Sequence, residues 1–504
     1  MGEPLILGID SGLTVTKAVV FSLSGEALSV GRCEVEQLKP RPRFVERDME
    51  ALWQGTAAAI REALAAPGLA TNDIAVVGVT GHGDGLYLLD AEERPIGNGI
   101  LSLDSRGAEI IEAWRAVGVL DRALGLTGQY PYAAAPAAIL AWLKAHRPDD
   151  YARIGWVLSC KDWLRFRLTG RIATDITEAS VSFTNVRSQD YSEAALRLFG
   201  LEAIAAALPE AHGPHEIVGA VSAVAAEATG LAAGTPVATG LHDVTASAVG
   251  MGVVHPGQLS IIAGTFSINE VLSAEPKAST DWCCRNGLHR GQWMNMALSP
   301  ASSANIDWFL KVCCRDAVEA AEREGGSPFD RLEPEIEQAF AGDSQIVYHP
   351  FLYGSPHGDD AWAAFLGLQG WHGRGHLLRA IFEGVVFNHR YHVEALKAAF
   401  PCARARLSGG SARSPRICQL FSDALGLEIE VVEIEETGAL GAALCGAVGV
   451  GLFDSLETAV TQTVGATRRF TPSLAEGERL EARYGHYRRS VELLAPSWAD
   501  LRDG

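Results

Sequence analysis

Two apolar runs that flank a short polar turn form the feature that most constrains this fold. Leu5–Ile9 and Val15–Phe21 are long enough for strands, and the Gly/Asp/Ser turn between them predicts a β-hairpin. Gly8 and Gly12 allow backbone N–H groups to point outward, as in a phosphate-binding nest. Asp10, at the end of the first predicted strand, is placed to hold a magnesium ion through its waters. An ordinary hairpin is the alternative interpretation.

The same pattern returns near the middle of the chain. In Leu259–Leu272 two apolar runs again flank a short turn, which here contains Gly264 and Thr265. The two hairpins are separated by about half of the 504-residue chain. We therefore predict an α/β protein with two lobes that closes on a nucleotide between them. The predicted lobes are residues 1–252 and 253–504.

Net charge and composition narrow the classes of partner and compartment. The formal charge of −19 argues against nucleic acid, which requires a basic surface. It leaves an anionic nucleotide open, because a few local amides and a metal ion can outweigh a distant negative surface. We find no apolar run of about 18 residues and no signal-peptide pattern, so we expect no membrane span and a cytoplasmic location. Nine cysteines without a Cys-x-x-Cys pair favour reduced thiols.

Helical periodicity and stop signals predict several helices around these strands. One helix is expected over residues 107–124, and another over 161–168 that ends at Gly170. A small-residue helix is expected over 437–449.

Asp243 is the residue that we predict to act as catalytic base. It lies between a short predicted strand, residues 237–240, and a small-residue helix, residues 244–252. The N-terminus of a helix carries a partial positive charge, which favours an anionic phosphoryl group and keeps a neighbouring carboxylate ionised. Phosphoryl transfer to an alcohol needs a positioned group that accepts the proton late. A plain N-cap aspartate is the alternative interpretation.

A glycine-rich loop follows the predicted central strand Ile74–Thr80. Three glycines among residues 81–85 leave little side-chain bulk, while His82 and Asp84 supply hydrogen-bonding groups for hydroxyls. Ligands of open α/β sheets bind at the carboxyl ends of strands, where this loop is expected. The loop is therefore a candidate site for binding ligand hydroxyls, with a glycine-rich turn as the alternative.

Two further polar groups are candidates for binding a sugar. Asp104 and Arg106 could clamp a polyol, although a surface ion pair is the alternative. Asp162 lies between Lys161 and Trp163, and this combination of acceptor, donor and aromatic wall suits a sugar. A capped helix with a core tryptophan is the alternative there.

A second glycine-rich turn is a candidate for nucleotide binding. Leu407–Ala412 ends a predicted strand with Gly409, Gly410 and Ser411, and could seat an adenine or ribose because glycine lets a flat ring approach the backbone. A strand-to-helix turn is the alternative. The P-loop, dinucleotide-binding and serine-hydrolase patterns are absent from the sequence, which disfavours those classes.

Several of these stretches resemble motifs of the FGGY carbohydrate kinase family. Residues 363–383, Ala-Ala-Phe-Leu-Gly-Leu-Gln-Gly-Trp-His-Gly-Arg-Gly-His-Leu-Leu-Arg-Ala-Ile-Phe-Glu, closely resemble its second signature. Asp10–Thr14 resembles the first phosphate motif of the family, and Gly264-Thr265 the second. Leu407–Ala412 resembles the adenosine motif, and Glu436–Ala443 the second connecting motif. Together the motifs extend over nearly the whole chain.

The resemblance implies two actin-like, ribonuclease H-like lobes around a central cleft that holds ATP and Mg²⁺. It implies transfer of the γ-phosphate to a terminal hydroxyl of a small sugar or polyol, with Asp243 as the base. The N-terminal lobe would bind sugar and phosphate, and the C-terminal lobe the nucleotide. The residues predicted to contact the sugar are His82, Asp84, Asp104, Arg106 and Asp162. The residues predicted to contact ATP are Asp10, which also holds the metal, Gly12, Thr14, Lys17, Gly264, Thr265, Gly409, Gly410 and Ser411.

Departures from the family pattern fall on the sugar side. Ile139 stands where lysine is usual, His82 replaces glutamine, and Ser102 replaces tryptophan. These three departures affect which substrate is predicted and leave the predicted reaction unchanged. Residues 348–354 resemble the L-xylulose/3-keto-L-gulonate kinase branch, and residues 160–163 also resemble the erythritol kinase branch.

These resemblances lead to a specific functional prediction with two alternatives. We predict phosphorylation of a pentulose such as L-xylulose or xylulose. A polyol kinase of the erythritol or glycerol type is one alternative, and a non-catalytic actin-like regulator is an alternative of another class. We also expect a homodimer.

Overall fold

The computed structural model describes residues 3–358, 360–432, 434–465 and 468–502. The chain forms two compact units. Unit 1 comprises Met1–Pro256, Leu272–Asn295 and Ile434–Gly465, and unit 2 comprises Gly257–Val271, Met296–Glu433 and Ala466–Gly504. Two segments that follow residue 252 in the chain therefore pack within unit 1.

The strands are short and are distributed along the whole chain. In chain order they are β1 (Leu5–Ser11), β2 (Val15–Phe21), β3 (Ala27–Glu34), β4 (Glu46–Arg47), β5 (Ile74–Gly81), β6 (Tyr87–Leu89), β7 (Gly99–Ile100), β8 (Trp156–Leu158), β9 (Thr174–Asp175), β10 (Ala211–His212), β11 (Ile217–Ala220), β12 (Pro236–Ala238), β13 (Leu259–Ala263), β14 (Ser267–Ser273), β15 (Cys283–Asn286), β16 (Trp293–Ser299), β17 (Val347–His349), β18 (Ala364–Leu366), β19 (Arg404–Ser408), β20 (Glu428–Val431) and β21 (Arg468–Phe470).

The helices are interspersed among these strands, as expected for an α/β protein. In chain order they are α1 (Met49–Leu64), α2 (Ala108–Ala116), α3 (Val119–Thr127), α4 (Pro136–His146), α5 (Pro148–Ala152), α6 (Cys160–Thr169), α7 (Ile176–Ala179), α8 (Glu193–Phe199), α9 (Ala223–Thr229), α10 (Asp243–Gly250), α11 (Ala304–Cys313), α12 (Arg315–Glu324), α13 (Pro328–Ala341), α14 (Arg374–Ala399), α15 (Pro415–Leu425), α16 (Thr437–Gly449), α17 (Leu456–Thr463) and α18 (Leu474–Arg502). No described helix is both long enough and apolar enough to cross a bilayer.

The predicted N-terminal hairpin lies at the centre of the unit 1 sheet. The strand order is β11-β12-β5-β1-β2-β3, with β1 antiparallel to β2 and parallel to β5. Ile6, Leu7 and Ile9 of β1 are fully buried because both faces of the sheet are covered. The polar turn after β1 therefore lies at the carboxyl end of a central strand.

Helix α16 packs directly against this sheet through backbone that carries little side-chain bulk. A Cβ on Gly8 would lie 2.0 Å from the carbonyl oxygen of Ala439, so only glycine permits this approach. A Cβ on Gly441 would lie 1.9 Å from the carbonyl oxygen of Ala246 in α10. The small-residue helix predicted over 437–449 is confirmed, and its glycines bring α10 and α16 close to β1.

The second predicted hairpin is also confirmed and lies in the unit 2 sheet. In that unit β13 pairs antiparallel with β14 and parallel with β19, which continues to β20 and β21. The short turn between β13 and β14 holds Gly264 and Thr265. It lies at the carboxyl end of β13, beside the end of the parallel strand β19.

The single helix predicted over residues 107–124 is wrong, because the structure has two. Helix α2 ends at Ala116 and α3 begins at Val119. Gly118, between them, adopts a φ of 69°, in the left-handed region that glycine enters readily. The prediction for α6 is confirmed, with a capping box at Ser159 and a left-handed Gly170 at its end.

Candidate active site

Asp243 occupies the first position of α10, directly after the loop that follows β12. Its Oδ1 accepts a hydrogen bond of 2.8 Å from the amide of Val244, and its carboxylate also accepts from the amide of Gly83. The side chain is 34% exposed, so a hydroxyl of a ligand can reach it. Burial, followed by the negative charge of Asp10, raises the pKa of Asp243 to about 7. A carboxyl group with these properties can accept a proton near neutral pH.

Asp10 lies on β1, beside the first turn of α16. A Cβ on Gly438 would lie 2.6 Å from Oδ2 of Asp10, so the carboxylate rests against helix backbone. Burial raises the pKa of Asp10 to about 6, although Lys17 lowers it and Glu436 adds to the increase. A divalent cation would offset this unfavourable burial of charge.

A site with the single carboxylate of Asp10 fits Mg²⁺ that is bound together with a nucleotide. Mg²⁺ commonly takes one or two carboxylates and completes its shell with water and substrate phosphates. Among the described residues there is no cluster of three or more His, Cys, Asp or Glu side chains that could hold a metal alone. Asp10 is therefore a candidate ligand for a metal that arrives with the nucleotide.

The turn that follows β1 is fixed by a buried arginine that the sequence pattern did not identify. Arg47 is 1% exposed and donates hydrogen bonds to the carbonyl oxygens of Gly12 and Leu13, the former at 3.2 Å. The amide of Gly12 donates to the carbonyl oxygen of Val15 at 3.0 Å. Thr14 is exposed at the tip of the turn. Arg47 lies in a generally charged stretch of sequence, so no local signal distinguishes it.

Lys17 forms an ion pair within unit 1. Its Nζ lies 2.6 Å from Oε2 of Glu436, and Arg32 lies 2.7 Å from the other oxygen of the same carboxylate. The Lys17 side chain is 33% exposed. Lys17 thus lies near the N-terminus of α16, where it partly neutralises the acidic surroundings of Asp10.

The Asp84 carboxylate faces Arg285, which the sequence analysis also missed. Oδ1 of Asp84 accepts a 2.8 Å hydrogen bond from Nη2 of Arg285. Burial alone would raise the pKa of Asp84, but the positive charge of Arg285, together with hydrogen bonds from Tyr132 and Arg285, lowers it below its ordinary value. Asp84 has a φ of 58°, a strained conformation for a residue other than glycine and one often found at functional sites. Arg285 is 6% exposed.

The other predicted sugar residues have protein partners. His82 is buried, and its Nε2 lies 3.0 Å from the hydroxyl of Tyr87. Burial, aided by the charge of Arg47, lowers the pKa of His82 to about 3, so the ring is neutral.

Asp104 and Arg106 form a buried ion pair rather than a surface pair. Their side chains are 0% and 1% exposed, and Nη2 of Arg106 lies 2.7 Å from Oδ2 of Asp104. Arg106 also pairs with Glu46 at 2.7 Å, and the amide of Val45 donates to Asp104 at 2.8 Å. The pair thus ties the segment around β4 to the loop that precedes α2.

Asp162 is enclosed by donors at the N-terminus of α6. It accepts hydrogen bonds from Lys161 at 2.7 Å, from Thr174 at 2.8 Å and from Ser159 at 2.9 Å. Its carboxylate also lies on the wall of a cavity in unit 1 that includes Glu178. Asp10 and Asp84 are close enough to Asp243 to raise its pKa, whereas Asp162 is hydrogen-bonded to residues at the start of α6 and on β9.

Unit 2 contains a separate cavity of about 700 Å³ beside the second hairpin. Four predicted nucleotide residues contribute to its wall: Gly264, Thr265, Gly410 and Ser411. Oγ of Ser303 donates to the carbonyl oxygen of Ala263 at 2.9 Å and lies 2.8 Å from Oγ of Ser411. The volume is typical of pockets that take small molecules.

The remaining wall of this cavity comes from helices that are distant in sequence. Phe329 and Ile336 of α13, Phe382 of α14 and Ile417 of α15 supply apolar surface, and charged side chains line much of the rest of the wall. Gly409 directly precedes Gly410 and Ser411. It has a φ of 95° and lies against the backbone of Ala263. A flat apolar ring fits such a wall, with polar hairpin groups at one end.

Comparison with known proteins identifies the family. The N-terminal domain model of the FGGY family of carbohydrate kinases matches residues 5–250, and the C-terminal domain model of the same family matches residues 259–450. This protein belongs to the FGGY family of carbohydrate kinases. The resemblance read from the sequence motifs is thereby confirmed, and the protein is a sugar kinase.

FGGY relatives match this chain over almost its full length. The L-xylulose/3-keto-L-gulonate kinase of Escherichia coli (strain K12) is 32% identical over 503 residues, which cover 99% of this chain and 98% of the relative. The erythritol kinase of Brucella abortus (strain 2308) is 31% identical over 523 residues, which cover 99% and 98%. Both branches that the motifs indicated are therefore among its relatives.

A solved FGGY structure has the same fold. The crystal structure of xylulose kinase from Rhodospirillum rubrum superposes with a TM-score of 0.86 at 26% identity, covering 98% of this chain and 100% of that chain. The predicted α/β fold with two actin-like lobes is confirmed. Carbohydrate kinases of this family use ATP, so ATP is the phosphoryl donor.

Proposed function

We propose that this FGGY kinase transfers the γ-phosphate of ATP to a terminal hydroxyl of a pentulose such as L-xylulose or xylulose. The observation that carries the proposal is the placement of Asp243. It is accessible, lies at a helix N-terminus, and lies near a polar recognition group formed by Asp84 and Arg285. The names of the relatives support a pentulose as acceptor.

Asp243 acts as the base in this proposal. The acceptor hydroxyl donates its proton to the carboxylate as the bond from oxygen to phosphorus forms. Hydrogen bonds from the amides of Gly83 and Val244 hold the carboxylate in place. The partial positive charge at the start of α10 lies where the phosphoryl group carries negative charge.

Asp10 holds the Mg²⁺ of the nucleotide in this proposal. When bound, the metal would neutralise the negative charge of the phosphates. Thr14, exposed at the tip of the turn, provides a backbone donor to phosphate, Gly12 shapes the turn through its own hydrogen bond to Val15, and Lys17 adds positive charge nearby. The Arg47 contacts keep the carbonyl groups of this turn directed inward, which leaves the amides available.

The division of tasks between the predicted domains remains a proposal. Residues 1–252 would bind the sugar and phosphate and supply the base, and residues 253–504 would bind the nucleotide. Adenosine would occupy the 700 Å³ cavity of unit 2, with its phosphates toward Gly264 and Thr265 and its ribose near Ser411. Gly409 and Gly410 shape the turn beside it.

Among the predicted sugar residues, Asp84 is placed for direct contact, and Arg285 joins it. A sugar contact by His82, Asp104, Arg106 or Asp162 stays a prediction, because each makes buried hydrogen bonds to other protein groups. The likeness to erythritol kinase favours a polyol as the second candidate acceptor.

Sugar-dependent release of ADP tests the proposal. Purified protein with Mg²⁺ and ATP is assayed against L-xylulose, D-xylulose, erythritol, glycerol and no acceptor. We expect the highest kcat/KM with a pentulose. A preference for erythritol would transfer the assignment to the polyol alternative, and ADP release that no acceptor increases would support the non-catalytic alternative.

We also propose a cytoplasmic homodimer. All nine cysteines are free thiols, which suits a reducing compartment. Tyr353, Trp362, Leu368 and Trp371 of unit 2 are between 45% and 57% exposed, and in this proposal they supply apolar surface to the dimer interface. Light scattering should give a mass near twice 53.6 kDa, and a monomer mass would contradict the dimer.

A further inference from the structure

A continuous chain of polar side chains leads from Asp84 to the predicted base. Nη2 of Arg285 donates to Asp84 at 2.8 Å, and Nη1 of Arg285 lies 2.9 Å from Nε2 of His242. Nδ1 of His242 lies 3.2 Å from Oδ1 of Asp243. Nε of Arg285 donates to Oε1 of Gln129 at 2.8 Å, which fixes the guanidinium plane. His242 thus lies between an arginine and the base.

The arginine determines which nitrogen of His242 carries the proton. Arginine remains protonated and can only donate, so Nε2 of His242 must accept from it. The proton of the neutral ring is then on Nδ1, the nitrogen that faces Asp243. Burial, followed by the charge of Arg285, lowers the pKa of His242 to about 3, which agrees with a neutral ring.

His242 itself is held rigidly. It is 4% exposed, and its amide donates to Oγ1 of Thr177 at 3.0 Å. A Cβ on Gly83 would lie 1.9 Å from Nε2, so the ring rests on the backbone of the glycine loop. In the described part of the chain, Nδ1 has no hydrogen-bond partner of good geometry. Burying the Nδ1–H donor without a partner costs free energy, and a role of this donor beside the predicted base explains why it is kept.

We propose that His242 is a positioning residue for Asp243, and that Arg285 sets its tautomer. This inference rests on the proposed function. The Nδ1–H group donates to Oδ1 when the acceptor hydroxyl enters, since catalytic hydrogen bonds tighten in the substrate complex. Nδ1 and the amides of Val244 and Gly83 then hold the carboxylate, and a lone pair of Oδ2 that none of them occupies receives the hydroxyl proton. His242 cannot act as the base, because one nitrogen carries a proton and the other is occupied by Arg285.

Two substitutions of His242 test the contributions of Nδ1 and Nε2 separately. His242→Asn places an amide N–H close to the position of Nδ1 and loses the contact with Arg285. His242→Gln places its amide near Nε2, keeps an acceptor for Arg285, and loses the donor to Asp243. We expect His242→Gln to lower kcat by about tenfold or more with little change in the KM for ATP. His242→Asn should recover a measurable part of that loss.

A double-mutant cycle provides a second test that does not depend on the glutamine variant folding. Arg285→Met removes the donor that fixes the His242 tautomer, so kcat at saturating sugar should fall. Asparagine has no tautomer to fix, so the same change should lower kcat by a smaller factor in the His242→Asn background. Equal factors in the two backgrounds would contradict the role of Arg285.

Controls distinguish this inference from the proposed function. His146 is 46% exposed, and His146→Asn and His146→Gln should leave kcat unchanged. If the wild type shows no sugar-dependent ADP release, the proposed function fails. If the wild type is active while His242→Asn and His242→Gln have equal kcat, the positioning role alone is overturned. Thermal melting of each variant confirms that the compared proteins are folded.

Discussion

Asp243 shows how a single position combines several requirements of phosphoryl transfer. The helix start fixes the backbone, two amides hold the carboxylate, and burial raises its pKa to about 7. The sequence predicted this residue because a strand end and a helix start lie on either side of it. It did not predict Arg285, His242 or Arg47 as members of the site. Their contacts are made with residues 43, 201 and 35 positions away, and no local pattern reports such contacts.

Asp84→Asn tests the recognition group at the residue scale. The amide replaces one acceptor oxygen by a donor and leaves the buried guanidinium of Arg285 without its opposite charge. We expect the KM for the sugar to rise by about tenfold or more, whereas the KM for ATP should change little. Steady-state kinetics with each substrate varied in turn gives both constants. An unchanged KM for the sugar would exclude Asp84 from recognition.

At the scale of elements, the two hairpins were predictable because each is a local pattern of apolar runs around a turn. The short strand β12 and helix α10 were also found, with ends shifted by one or two residues. The break between α2 and α3 was missed, because Gly118 is compatible with a helix until its left-handed φ is known. The apolar wall of the unit 2 cavity was missed because its residues come from α13, α14 and α15.

The contact between α16 and α10 gives a matched pair of glycine substitutions. In Gly441→Ala the new Cβ would lie 1.9 Å from the carbonyl oxygen of Ala246, and we expect unfolding to become easier by about 1–3 kcal/mol. Gly125 lies within α3 with no neighbour within 4 Å of a new Cβ. Gly125→Ala should stabilise by about 0.5–1 kcal/mol, because alanine favours a helix. Urea denaturation measures both, and destabilisation of similar size in the two variants would contradict the packing argument.

At the scale of the whole molecule, the sequence predicted two lobes with a single boundary after residue 252. The segments Leu272–Asn295 and Ile434–Gly465 belong to unit 1. The first is anchored there by a hydrogen bond from the amide of Cys284 to the carbonyl oxygen of Gly128, and by Trp293, whose Nε1 donates to Val186. The packing of these two later segments within unit 1 depends on tertiary contacts. They explain why Arg285 reaches Asp84 and why the start of α16 lies beside Asp10.

Buried neutral histidines should make stability depend on pH. Burial, followed by the influence of His392, lowers the pKa of His389 to about 3, and its Nε2 lies 3.1 Å from Oγ of Ser302. Below a pH of about 6.5 the unfolded chain binds a proton at His389 that the folded state does not, so acid lowers the free energy of unfolding. From pH 7.5 to 5.5 this single residue should contribute a loss of about 1.4 kcal/mol.

His389→Gln removes that titration. Chemical denaturation at both pH values should show a smaller loss in the variant than in the wild type. The difference between the two proteins should stay constant from pH 7.5 to 8.5, which is the internal control. An identical loss in both proteins between pH 7.5 and 5.5 would show that His389 does not contribute.

The most direct test of the account is the effect of Asp243→Asn on phosphoryl transfer and on nucleotide binding, measured on the same preparation. The amide keeps the shape of the side chain but cannot accept the hydroxyl proton. We expect sugar-dependent ADP release to fall by about 10²–10⁴-fold, while calorimetry gives a Kd for a non-hydrolysable ATP analogue close to that of the wild type. Near-full turnover in Asp243→Asn would contradict the assignment of Asp243 as the base.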